Sequence, residues 1–152
     1  MKNAIIVHGT ACTPNSYWLP SIKKFLEKEG YTVWAPQLPE ATRPSLVTQL
    51  PFLLENGKFT NETVLIGHSA GCPLLLALLE KINVQVAKVI LVAGFGRPLK
   101  GNTLALPVVK KFDWKRIRAN ARQFFFINSD NDPWNCNDKE GHYLFKNLGA
   151  SN

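Results

Sequence analysis

The stretch Thr63-Val64-Leu65-Ile66-Gly67-His68-Ser69-Ala70-Gly71-Cys72-Pro73-Leu74-Leu75 decides the fold. Its first four residues form a short apolar run rich in β-branched side chains, as a buried strand requires. From Pro73 to Ile82, Leu74, Leu75, Leu78 and Leu79 recur at helical spacing. Between strand and helix stands Gly67-x-Ser69-x-Gly71. A serine whose hydroxyl is to project from a sheet must sit on a sharp, strained strand-to-helix turn. Side chains two residues before and after it would collide there, so both places favour glycine. The Ala70 N–H then opens the helix, where a developing oxyanion is stabilised. With three residues at about 7% each, chance alone places such a pattern in a chain of this length roughly one time in twenty. The flanking strand and helix make it a nucleophile elbow with Ser69 as nucleophile.

Working outward, four more runs read as strands: Ala4–Val7, Thr32–Ala35, Lys88–Val92 and Gln123–Ile127. Like Thr63–Ile66 they are nearly continuous in apolar residues, the signature of parallel strands covered on both faces. Helical patterns separate them. Trp18, Ile22, Phe25 and Leu26 form a stripe stopped by Gly30. Ser45–Leu54, Pro73–Ile82 and a basic helix over Asp113–Arg122 follow, the last with Trp114 and Ile117 to bury. Asn137 to Glu140 has the form of a capping box, Leu144, Phe145 and Leu148 an apolar face, and Gly149 a stop. Alternation at this spacing predicts an α/β fold of three layers, a mainly parallel sheet with helices on both faces.

In such sheets ligands bind beyond the carboxyl ends of the strands. Three loops lie there: His8-Gly9-Thr10-Ala11-Cys12, the elbow itself, and Asn128-Ser129-Asp130-Asn131-Asp132-Pro133. The first supplies a backbone N–H from Thr10 or Ala11 as the second oxyanion donor beside Ala70. The third supplies the acid. Asp132 is preferred over Asp130 because Pro133 limits its freedom, leaving Asp130 as a turn residue. His8 and His68 read as packing residues, since a triad in this architecture runs Ser, acid, His. His142 is the only histidine after Asp132 and is the possible base, although it projects beside the apolar face of its helix. Phe95, Trp18 and Trp134 are candidates for an apolar wall, and residues 95–111 are enough for a small cap. No cofactor or metal is called for. Cys12, Cys72 and Cys136 form no short pair, which reads as a reducing cytoplasm; all three fall near these loops, as small buried spacers in preference to reactive thiols.

The chain's 152 residues suit a single domain spanning 1–152, with 45% apolar residues and enough length for a core. No apolar run is long enough for a signal-peptide core or a membrane span. The net charge of +7 is local. Eight basic residues and one acid, Asp113, lie between Arg97 and Arg122, so residues 97–122 alone carry +7 and the remainder balances. That segment is a candidate for an anionic or protein partner, and no nucleic-acid motif accompanies it.

The combination of Val7-His8-Gly9, Gly67-His68-Ser69-Ala70-Gly71 and Ser129-Asp130-Asn131-Asp132-Pro133-Trp134 resembles the small serine hydrolases of the retinoblastoma-binding protein 9 family. The Asp113-Trp114-Lys115-Arg116-Ile117 helix is similar to the one before their acid-bearing strand, and the likeness extends over nearly the whole chain. It implies a compact α/β-hydrolase-like fold with little or no lid, Ser69 as nucleophile and Asp132 as triad acid. It also implies one further strand, followed by the catalytic His about 25–30 residues past the acid. This chain stops 20 residues past Asp132, so the last strand and the triad His are expected to be missing and the domain incomplete at its C-terminal end. Two functions follow as expectations. One is a serine hydrolase acting on a small ester, thioester or amide. The other is a catalytically impaired hydrolase-fold binding protein.

Overall fold

Parallel pairing carries every strand out at the same edge of one sheet, and that shared edge positions the site. The computed structural model describes residues 1–149; the point where the sequence places the start of a further strand lies outside the described residues. The strands β1 (Asn3–Val7), β2 (Thr32–Trp34), β3 (Val64–His68), β4 (Val86–Val92) and β5 (Ala121–Ile127) pair in the order β2-β1-β3-β4-β5. Every pairing is parallel, with Ile5 beside Leu65 and Trp34, and Ile66 beside Ile90. Between the strands run α1 (Leu19–Lys28), α2 (Leu46–Asn56), α3 (Gly71–Lys81) and α4 (Trp114–Ala119), with α5 (Asp138–Leu148) after β5. A 3₁₀ segment, Thr103–Val108, lies within the connection from β4 to α4.

Successive strand residues point to opposite faces. Ala4, Ile6, Val64 and Ile66 pack against Leu19 and Leu26 of α1. Ile5, Val7, Leu65, Val89 and Leu91 face the other way, into the core built with α2, α3, α4 and α5. There α3 is buried from Gly71 through Leu79, which explains why its leucines surround it rather than forming a narrow stripe. On β5, Phe124 and Phe126 join that core, while Phe125 and Ile127 are 43% and 57% exposed on the face that α1 covers only toward the opposite side of the sheet.

The basic helix is shorter than its sequence pattern. It stops at Ala119 rather than Arg122, because Asn120 Nδ2 donates to the Leu79 and Ile82 carbonyls, 2.7 and 3.0 Å away, and Ala121 pairs with Val86. The start of α5 also differs. Asn137 caps it by accepting from Lys139 N–H, but Glu140 turns away to grip Arg97 at 3.0 and 3.2 Å instead of closing a capping box. Of the expected apolar face, Leu144 and Leu148 are buried, whereas Phe145 is 55% exposed and lies edge-on to Phe126.

Candidate active site

The order β2-β1-β3-β4-β5 reverses direction between β1 and β3, and a crevice opens where their connections leave to opposite faces. Ser69 stands in that crevice, one residue past β3. Its φ of 54° is left-handed, a strain seen where structure over-determines a residue. Two backbone bonds hold it. Its N–H donates to Val92 O at 2.9 Å, and its carbonyl accepts from Cys72 N–H at 2.9 Å. The glycine two residues on is set by close approach: a Cβ on Gly71 would stand 2.5 Å from Val7 O and 2.9 Å from His8 O. Gly9 is constrained from the other side, since its Cβ would meet Ser69 Cβ at 3.0 Å. β1 and the head of α3 thus touch backbone to backbone.

The loop after β1 is pinned. Ala11, with φ 56°, donates to Ala41 O at 2.7 Å, and Cys12 N–H donates to Gly9 O. Ala11 N–H is therefore engaged, which leaves Thr10. Neither Thr10 N–H nor Ala70 N–H donates a hydrogen bond among the described residues. His8 anchors this loop from beneath. It is 1% exposed; Nδ1–H donates to Gly9 O at 2.8 Å, and Nε2 accepts from Leu38 N–H at 2.9 Å and Gln37 Nε2 at 3.2 Å. Those partners require the neutral Nδ1–H tautomer, and burial lowers the His8 pKa.

The loop after β5 brings in Asp132. Its Oδ1 accepts from Trp134 N–H at 2.8 Å and Cys136 N–H at 3.1 Å, so the half-buried carboxylate is held by its own turn. Asp130 is exposed. Asn128 ties the loop to the sheet by donating to Gly94 O and Cys136 O. The turn carries Cys136 to Ser69, its Sγ 3.9 Å from Ser69 Oγ. Burial, then the Asp132 charge, pushes the Cys136 thiol up to about 11, so it is a neutral neighbour near pH 7. Cys136 is buried, as a spacer reading expects, and it also stands at the edge the sequence assigns to its loop. The available signal was its place four residues after Asp132, within reach of that side chain. Above it Phe95, Leu99, Ala105 and Val108 cluster with Ala70 and Cys136, so the 95–111 connection does cover the elbow.

The other candidates fall at different distances from this centre. His68 packs edge-on to Tyr17 and Trp18, with ring centroids 5.6 and 5.7 Å away. Its pKa is lowered chiefly by burial, with Asp132 acting in the opposite direction. His142 is exposed on the side of α5 that carries Phe145 and Lys146, opposite buried Gly141 and Leu144. Among the described residues, Cys136 is the only side chain within hydrogen-bonding distance of Ser69 Oγ. Phe95 is buried, Trp18 is half-buried on His68, and Trp134 is 69% exposed. Among the described residues no group of three His, Cys, Asp or Glu side chains could hold a metal ion, and no helix is long and apolar enough to cross a membrane.

A glycine-flanked serine on a left-handed strand-to-helix turn at the switch point of a parallel sheet, with an aspartate-bearing loop on the same edge, defines an α/β-hydrolase-like fold. Residues 4–152 match the family model described as serine hydrolase, and the chain belongs to that family. It is 30% identical over 135 residues to "Putative hydrolase YdeN" of Bacillus subtilis (strain 168), covering 86% of this chain and 71% of the relative. The crystal structure of the B. subtilis ydeN gene product superposes with a TM-score of 0.91 at 26% identity, over 99% of this chain and 83% of that one. An extracellular α/β-hydrolase from a Paenibacillus species shares the fold, with a TM-score of 0.67 at 11% identity, over 95% of this chain and 86% of that one.

Proposed function

We propose that this chain is a cofactor-free serine hydrolase that acts on a small ester, thioester or amide. Ser69 Oγ attacks the carbonyl carbon, and the N–H groups of Ala70 and Thr10 receive the oxyanion. The alcohol, thiol or amine departs, leaving an acyl group on Ser69 that water then removes. Asp132 is the acid that orients an imidazole. The observation that carries this reading is Ser69 at φ 54° between β3 and α3, with the Ala70 and Thr10 N–H groups making no hydrogen bond among the described residues. The narrower likeness to the retinoblastoma-binding protein 9 group rests on the Asp132-Pro133 loop and the Trp114–Ile117 helix. A second reading, a hydrolase fold kept for binding, is favoured by the thiol of Cys136, rather than an imidazole, standing beside the Ser69 hydroxyl. Labelling with a fluorophosphonate probe separates the two. Covalent labelling that disappears in Ser69→Ala supports the hydrolase. A folded wild-type chain that stays unlabelled even with imidazole added as an external base supports the binding protein.

A further inference from the structure

The basic segment lines a cavity away from Ser69. Its volume is about 440 Å³, within the range that holds a small molecule. None of Ser69, Thr10, Ala70, Asp132 or Cys136 lines it. The cap separates the two places: Leu106 faces the cavity, whereas Ala105 and Val108 pack toward Ala70 and Cys136.

Three aromatic rings wall the cavity. Trp114 lies between Phe112 and Tyr143, with ring centroids 5.5 and 5.8 Å away. Five polar side chains line it: Arg97, Lys110, Lys111, Trp114 and Tyr143. Each is a hydrogen-bond donor, three are cations, and no carboxylate is among them. Acids hold two of the cations in place. Arg97 is clamped by Glu140 through Nε and Nη2 while its guanidinium lies 4.3 Å from the Tyr143 ring centre, and Lys110 pairs with Glu80. Lys111 has no acidic partner among the described residues, and neither the Trp114 indole N–H nor the Tyr143 hydroxyl makes a hydrogen bond among them. The cavity therefore combines flat apolar walls with uncommitted donors and one unneutralised positive charge. An aromatic ring matches the walls, and an oxyanion matches the donors.

We propose that this cavity binds an aromatic ring carrying an oxyanion, in the form of an aryl phosphate or an aryl carboxylate, at a site separate from the serine. The test is a titration of the ¹⁵N-labelled chain at low salt, following the Trp114 indole cross-peak, which Trp114→Phe assigns. Phenyl phosphate and benzoate distinguish the two head groups. Phenol and inorganic phosphate supply each half alone. Saturable movement of the Trp114 peak is expected with at least one of the first two. Its affinity should exceed that of either half by about tenfold, because a charge-assisted bond and ring burial then act together. The affinity should fall at least about threefold in Lys111→Ala, and again with added salt. Ser69→Ala should bind unchanged, so loss of hydrolase activity and loss of this site are separate outcomes. A Trp114 peak that stays fixed with both ligands overturns the proposal. So does phenol binding as tightly as phenyl phosphate and benzoate, or a Lys111→Ala chain with unaltered affinity.

Discussion

At the scale of single residues, His8 has the most constrained chemistry. Its Nε2 can accept from Leu38 N–H only while the ring is neutral; a proton there would set two donors against each other. The folded-state pKa is accordingly below 6.5, and burial is the main cause. Above pH 6.5 neither folded nor unfolded chains bind this proton, and stability does not depend on it. As pH falls through 6.5 the unfolded chain takes up the proton first, and stability is lost from there down through the folded pKa. His68 is shifted in the same direction and adds to the slope. Thermal unfolding between pH 8 and 5 should show a Tm that declines below about pH 6.5. His8→Gln should have a shallower decline, because glutamine cannot take up a proton, and a cost at pH 8 of about 1–3 kcal/mol for the disturbed bonds to Leu38 and Gly9. Equal slopes in the two proteins would remove His8 from the account.

Elements raise a different question, which is how closely α3 can approach β1. The answer lies in backbone contact: a methyl on Gly71 would meet the carbonyl oxygens of Val7, the last residue of β1, and of His8, whose ring is anchored to Gly9 and Leu38. Gly71→Ala should therefore destabilise the fold by about 1–3 kcal/mol, as overpacking does. It should also reduce probe labelling of Ser69, since the elbow has to move; denaturant titration with labelling at matched folded fraction checks both. An unchanged midpoint would mean that the elbow is looser than its contacts. This contact is what made the elbow legible in sequence, because the demand for glycine is local. The same holds for the alternation of apolar runs that gave the five strands. Other features depend on distant partners. The end of α4 is set by Asn120 reaching across to Leu79 and Ile82, and the start of α5 by Arg97 drawing Glu140 away from Asn137. No periodicity carries those pairings. Pro51 inside α2 is tolerated for a related reason: the carbonyl its ring leaves unbonded belongs to Val47, which is 82% exposed and open to water.

The site exists only at the scale of the whole molecule. The ends of β1, β3 and β5 deliver Thr10, the Ser69–Ala70 turn and Asp132 to one edge of one sheet. The three histidines reach different places: His8 under the first loop, His68 between Tyr17 and Trp18, and His142 on the outer side of α5. Triad order and helical spacing already kept all three histidines from the Ser69 hydroxyl in the sequence; what the sequence did not carry is the Cys136 thiol that stands there, since its approach depends on how the Asp132 turn folds back. An elbow with oxyanion donors and an acid, but no imidazole at the hydroxyl, should turn over slowly; in a well-studied serine protease, removal of the triad histidine costs about 10⁶-fold in kcat. The folded chain should nevertheless accept a base from solution. Asp132 engages Trp134 and Cys136 through Oδ1 only, which leaves Oδ2 able to receive an imidazole N–H. Hydrolysis of p-nitrophenyl acetate should rise saturably with added imidazole. The reference is Ser69→Ala at each imidazole concentration, which subtracts the reaction of imidazole with the ester itself. A Ser69-dependent rise of about tenfold is expected, below the 10²–10⁴ of a positioned general base because the free ring is not tethered. Asp132→Asn should blunt the rise by weakening the hold on that ring. Fast turnover without imidazole that is lost in His142→Ala would instead make His142 the base, through a movement of α5 toward the elbow. A flat response to imidazole would mean that the crevice beside Ser69, where Cys136 now stands, has no room for the ring.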